Sequence, residues 1–128
     1  MASLKDNTLE NSISTTSSNS ISAVESKTEI PTVTTSQKNA LKRAKEYLKT
    51  MPFSYTGLIE QLEFEQYSHE DAVYAADNCG ADWNEQAAKK AQSYLDIMSF
   101  SRQGLIDQLQ FEGYTYEQAV YGVNQVGL

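Results

Sequence analysis

The chain carries the same stretch twice. Residues 37–81 laid over residues 84–128, without a gap, agree at roughly 21 of 45 positions. Whatever one copy folds into, the other must fold into as well. The agreement is informative in kind. Ala40, Ala44, Tyr47, Leu48 and Met51 recur as Ala87, Ala91, Tyr94, Leu95 and Met98. Phe53-Ser54 and Gly57-Leu58-Ile59 recur as Phe100-Ser101 and Gly104-Leu105-Ile106. Gln61-Leu62 with Phe64-Glu65 returns as Gln108-Leu109 with Phe111-Glu112, and Tyr67, Glu70 and Ala72-Val73-Tyr74 return as Tyr114, Glu117 and Ala119-Val120-Tyr121. A unit of this size is near the lower limit for a self-sufficient core, so each copy has a reason to lean on the other.

Each copy reads as three short helices. Ala40, Leu41, Ala44, Tyr47, Leu48 and Met51 make one apolar stripe at helical spacing, with Lys42, Arg43, Lys45 and Lys49 off it. Pro52 ends this helix, because a residue before proline disfavours the α region. Ser54 then caps a second helix, with Phe53 and Leu58 as a hydrophobic staple; Ser101, Phe100 and Leu105 repeat the arrangement. A turn at Gln66-Tyr67 leads to a third helix capped by Ser68, whose counterpart is a Thr115/Gln118 capping box. Gly80 is a C-terminal stop, and Asp82 with Glu85 opens the next unit after a linker of about two residues. Trp83 faces no aromatic counterpart at Ser36, which places it in the joint between units. The expected fold is all-α: two tandem three-helix, helix-turn-helix-like repeats over 37–81 and 82–128.

The first 36 residues differ in kind. They hold nine Ser, seven Thr and three Asn and no Phe, Tyr or Trp. Such a segment cannot bury enough apolar surface to offset its ordering entropy, so residues 1–36 are expected to be a disordered tether. Its r.m.s. span would be roughly 30–36 Å.

Composition excludes most chemistry. The net charge of −7 argues against nucleic acid as a partner, since phosphate contacts need clustered Lys and Arg. A helix-turn-helix reader needs basic or amide side chains on its recognition helix, whereas the third helix here carries His69, Glu70, Asp71 and Asp77. One Cys (Cys79) and one His (His69) leave no disulfide, no metal knuckle and no His-based zinc site. Glu60 and Glu63 have no pocket or His partner with which to act as acid and base. No catalytic residue, cofactor or metal is expected.

A contact surface is the remaining reading. Glu60, Glu63, Glu65, Glu70 and Asp71 cluster in the first repeat, and Asp107, Glu112 and Glu117 partly repeat them. Complementary charge of this kind speeds encounter and selects partners, though it also suits a merely solvated face. Of the eight tyrosines, Tyr47, Tyr74, Tyr94 and Tyr121 take core-like positions. Tyr55 and Tyr116 lack aromatic counterparts, which makes them surface residues and candidate interface anchors.

The repeat Ala-x-x-x-Ala-x-x-Tyr-Leu-x-x-Met-x-Phe-Ser-x-x-Gly-Leu-Ile-x-Gln-Leu-x-Phe-Glu, followed by Glu-x-Ala-Val-Tyr, resembles the host cell surface-exposed lipoproteins of Gram-positive bacteria and their temperate phages. The resemblance spans residues 37–128 and holds in both copies. It implies a prophage-encoded superinfection-exclusion lipoprotein, held by lipid on the outer face of the cytoplasmic membrane. The chain is expected to be a monomer. There it would block DNA injection by an incoming phage, with that phage's tape measure protein as target. The family has no catalytic residues to carry over. A signal peptide and lipobox cysteine do not precede the linker, and Met1-Ala2-Ser3 is accordingly read as the start of a soluble version without its anchor. The alternative reading is a structural or adhesive cell-surface binding module.

Overall fold

Thr34 opens the first helix by a reciprocal cap. Its hydroxyl accepts the Gln37 N–H, and the Gln37 side chain accepts the Thr34 N–H, both at 3.0 Å. The computed structural model describes residues 32–128, so the tether expected over 1–36 falls for the most part outside the described residues. Helix α1 spans Thr35–Thr50, beginning two residues ahead of the expected onset at Gln37 because the cap sits on Thr34. It is followed by α2 (Tyr55–Phe64), α3 (His69–Asn78), α4 (Trp83–Leu95), α5 (Arg102–Phe111) and α6 (Tyr116–Gln125), and the described residues contain no strand.

The caps follow the sequence closely. Ser54, Ser68, Ser101 and Thr115 each accept the N–H three residues on, and Gln118 closes a full capping box with Thr115. Asp82 accepts from both Asn84 and Glu85. Each such cap satisfies donors that the first helical turn otherwise leaves open. At the other end, α2, α5 and α6 finish in Schellman turns. Tyr67, Tyr114 and Leu128 donate back to Leu62, Leu109 and Val123. The left-handed position of these turns is Gln66 (φ 77°) in the first repeat and Gly113 (φ 105°) in the second.

Each repeat owns a core. In the first, α1 lies mainly against α3 and α2 closes over α3; in the second, α4 lies on α6 and α5 covers it. Ala40, Ala44, Leu58, Ile59, Leu62, Ala72, Ala75 and Ala76 form one buried cluster. Ala87, Ala91, Leu105, Ile106, Leu109, Tyr114, Ala119 and Val123 form the other. Alanines at the crossings bring the helices close; a Cβ on Gly122 of α6 would come within 2.8 Å of the Ala87 backbone. Leu58, Leu62, Leu105 and Leu109 are fully buried and are among the largest side chains of the cores, each contributing about 1.5–3 kcal/mol.

Two expectations about packing need correction. Tyr47, Tyr74, Tyr94 and Tyr121 are half-buried; Tyr47 and Tyr94 pack against the edges of their cores as expected, whereas Tyr74 and Tyr121 do not. The buried tyrosine is Tyr114, 3% exposed. Met51 and Met98 do not extend the apolar stripe either. Both lie beyond the end of their helix and are exposed, 47% and 53%.

The repeats meet where the α1–α2 corner and the start of α2 approach the first turn of α4 and the α5–α6 turn. Trp83, at the first position of α4, packs on the first core and stacks edge-on against Tyr55, with ring centroids 5.5 Å apart. The Ser54 hydroxyl donates to the Glu112 carbonyl at 2.7 Å, and the Thr56 hydroxyl to that of Gly113 at 3.3 Å. Phe53 donates its N–H to the side chain of Gln86, which is 6% exposed. The joint therefore sets the α1–α2 corner of one copy on the α5–α6 turn and α4 of the other.

Candidate interaction surface

The acidic residues singled out in the sequence divide into two groups. Glu65 is held inside its own repeat. Arg43 grips it with two N–H donors, at 2.9 and 3.0 Å, the Tyr47 hydroxyl donates to it, and Gln61 bonds that hydroxyl at 3.1 Å. The Arg43 guanidinium and the Tyr47 hydroxyl hold the Glu65 carboxyl down to about 2. Glu112 occupies the same place in the second repeat. Lys90 pairs with it at 3.2 Å, and Gln108 bonds both it and the Tyr94 hydroxyl. Arg43 and Lys90 also sit over the rings of Tyr47 and Tyr94, 4.3 and 5.8 Å from their centroids. These two carboxylates brace the first helix of each repeat to the second. They are less available to a partner than the sequence led us to expect.

Tyr55 departs from expectation in the same way. It is half-buried, stacked on Trp83, and its hydroxyl donates to Asp77 at 2.7 Å, which raises its pKa along with desolvation. Tyr116 is a surface residue, 55% exposed. Asp71 is half-buried and accepts from the Ser36 hydroxyl. Glu63, expected to have no His partner, contacts the exposed His69 ring at Nδ1, because the turn at Gln66-Tyr67 brings the start of α3 back beside the end of α2. Glu60, Glu70, Asp107 and Glu117 are exposed.

Sequence reasoning missed the aromatic part of this surface. Phe64 and Phe111 end α2 and α5 at equivalent positions and are 78% and 86% exposed. Their place on the helix gives the reason. Leu58, Ile59 and Leu62 turn inward, and a residue one turn beyond Glu60 shares the outward face of Glu60. The available signal was that Phe64 and Phe111 fall out of register with their helices' buried positions.

Each repeat thus presents an acid on its second helix (Glu60 or Asp107), a phenylalanine one turn on (Phe64 or Phe111), and a glutamate at the start of its third helix (Glu70 or Glu117). At the joint a cleft of about 240 Å³ runs between Met51 and Phe111, with Glu60, Lys90 and Glu112 lining it. Among the described residues, no three His, Cys, Asp or Glu side chains converge as metal ligands, and no helix is long and apolar enough to cross a membrane.

Comparison with known proteins places this scaffold. No curated protein sequence matches the chain. The solved structure of Ltp, a superinfection exclusion protein from the Streptococcus thermophilus temperate phage TP-J34, is similar at 37% identity and a TM-score of 0.69, over 76% of this chain and 99% of that one. The sequence model of the host cell surface-exposed lipoproteins matches residues 35–79 and again residues 82–126, one match per repeat. With both repeats matched separately, this chain belongs to the host cell surface-exposed lipoprotein family.

Proposed function

We propose that this protein excludes superinfecting phage, and that it does so as a stoichiometric blocker. Lipid-anchored at the outer face of the cytoplasmic membrane, it would engage the tape measure protein of an incoming phage and prevent DNA injection. The likeness to Ltp, a superinfection exclusion protein, supports the general role. One observation supports a binding mechanism: an exposed acid and an exposed phenylalanine on the second helix, with an exposed glutamate at the start of the third, recur in both repeats, as Glu60, Phe64 and Glu70 and as Asp107, Phe111 and Glu117. Exposed rings of this size gain most by being covered, and a surrounding rim of carboxylates selects a basic partner segment and speeds encounter with it. Two copies of one face suit an elongated target that offers the same chemistry repeatedly, because linking two weak contacts raises avidity.

The test uses cells displaying the anchored protein, challenged with phage while adsorption and DNA injection are measured separately. Normal adsorption with failed injection supports exclusion. Reversing Glu60, Glu70, Asp107 and Glu117 to Lys should restore injection and abolish capture of the tape measure protein by the purified repeats. Full protection by a stably folded reversal variant would refute the charge mechanism. A block at adsorption would instead favour an adhesive surface module.

A further inference from the structure

Charge is the property that the duplication does not copy. Helix α1 carries Lys38, Lys42, Arg43, Lys45 and Lys49, half of the chain's 10 Lys and Arg, against the single acid Glu46. The equivalent positions in the second repeat are Glu85, Lys89, Lys90, Gln92 and Asp96. Between Lys49 and Lys89 the sequence has no Lys or Arg. The buried alanines of α1 and α4 do recur, so packing makes no demand for these lysines.

Their placement is one-sided. At about 100° per residue, Lys38, Lys42, Lys45 and Lys49 fall within an arc of roughly 60°, opposite Ala40 and Ala44. All four are exposed, while Arg43 lies off the stripe and is held by Glu65. The ion pairs among the described residues use Arg43, His69 and Lys90 and none of these four. Their stems, half-buried Leu41 and the single acid Glu46 line a shallow trough of about 400 Å³, four cations to one anion. The stripe spans about 16 Å of helix axis.

We infer that the lysine stripe of α1 seats this protein on an anionic phospholipid surface, with α1 lying along the headgroups. Members of the family are host cell surface-exposed lipoproteins, which places a bilayer within reach, and α1 is the helix that follows the N-terminal segment through which a lipoprotein is anchored. The outward face of α1 has no large apolar side chain to insert, so the contact is electrostatic and confined to the headgroup layer. The same surface potential repels Glu60, Glu70, Asp107 and Glu117, and so turns the acidic faces away from the bilayer. This inference does not depend on the phage partner; vesicles alone test it.

The purified 128-residue chain is co-sedimented with vesicles of phosphatidylcholine alone and with vesicles containing about one quarter phosphatidylglycerol. Binding should require phosphatidylglycerol and vanish in high salt. Changing Lys38, Lys42, Lys45 and Lys49 together to Gln should weaken it at least about tenfold, with an unchanged melting curve because Gln keeps good helix propensity. Lys89→Gln on α4 should bind as the wild type does. Three results would overturn the inference: no binding of the folded chain to anionic vesicles, undiminished binding by the quadruple variant, or binding to soluble polyphosphate but not to vesicles.

Discussion

The side-chain oxygen of Gln86 accepts the backbone N–H of Phe53 at 3.0 Å, which ties α4 of the second repeat to the corner before α2 of the first. The backbone carbonyl of Gln86 also accepts the hydroxyl of buried Tyr114 at 3.2 Å. One residue thus serves both the joint and the second core. Gln86→Met keeps the volume and the helix propensity and removes the side-chain amide whose oxygen accepts from Phe53. It should cost about 1–2 kcal/mol, since the Phe53 N–H loses its partner in a largely desolvated place. Urea denaturation checks this, with a lower midpoint and an unchanged slope.

The left-handed turn after each second helix makes a paired prediction. Gln66 takes φ 77°, where a side chain is strained by about 1–2 kcal/mol. Glycine there relieves that strain but adds about 0.5–1 kcal/mol of unfolded-chain entropy. Gln66→Gly should therefore stabilise slightly, by up to about 1 kcal/mol. Gly113→Ala should do the reverse and more. At φ 105° its Cβ would meet the Ser54 hydroxyl at 2.7 Å and crowd Thr56, which hold the joint. Gly127→Ala, also left-handed but with nothing within 4 Å, separates strain from collision. Thermal melts should rank the three as Gln66→Gly, Gly127→Ala, Gly113→Ala, from most to least stable.

Much of this architecture was legible because duplication tests every local signal twice. Ser54 and Ser101, or Ser68 and Thr115, cap as their spacing implies, and the inward leucines sit where the stripe places them. Trp83 was legible as a joint residue through its lack of a counterpart. What escaped was tertiary. Glu65 and Glu112 look like surface acids in a string of acids, and only folding brings Arg43 and Lys90 from the preceding helix onto them. Tyr55 looks unpaired until Trp83 and Asp77 arrive from 28 and 22 residues away. Phe64 and Phe111 resemble core residues by type, and helical register alone turns them outward.

The Glu65 brace has a pH signature. Its carboxyl stays ionised in the folded chain to about 2, well below the ordinary 4.5, because Arg43 and Tyr47 bond the charged form. Above pH 4.5 both folded and unfolded chains carry the charge, and the stabilisation is fully present. As pH falls from there towards 2, the unfolded chain takes up the proton first and the stabilisation drains away. Solvent screening reduces its size, since the Arg43 side chain is 41% exposed. Glu65→Gln should lower stability by about 1–2 kcal/mol at neutral pH. The gap to wild type should close progressively below pH 4.5. Melting temperatures of both proteins across that range decide the matter; a gap that stays constant would show that the brace acts through shape alone.

Phe64 and Phe111 offer the sharpest separation of binding from folding. A ring 78% or 86% exposed gives little to the fold, so Phe64→Ser with Phe111→Ser should leave stability within about 0.5 kcal/mol of wild type per site. If the repeated face is where a partner docks, the same pair of changes removes the largest apolar area available to it, and protection of anchored cells against phage should collapse. The single variants rank the copies. Phe111 lines the cleft at the joint, opposite Met51 and Glu60, whereas Phe64 does not. Phe111→Ser should therefore impair exclusion more than Phe64→Ser. Equal losses would mean that the two faces act independently of the joint. Undiminished protection by the folded double variant would remove the aromatic face from the mechanism and leave the carboxylates to account for it.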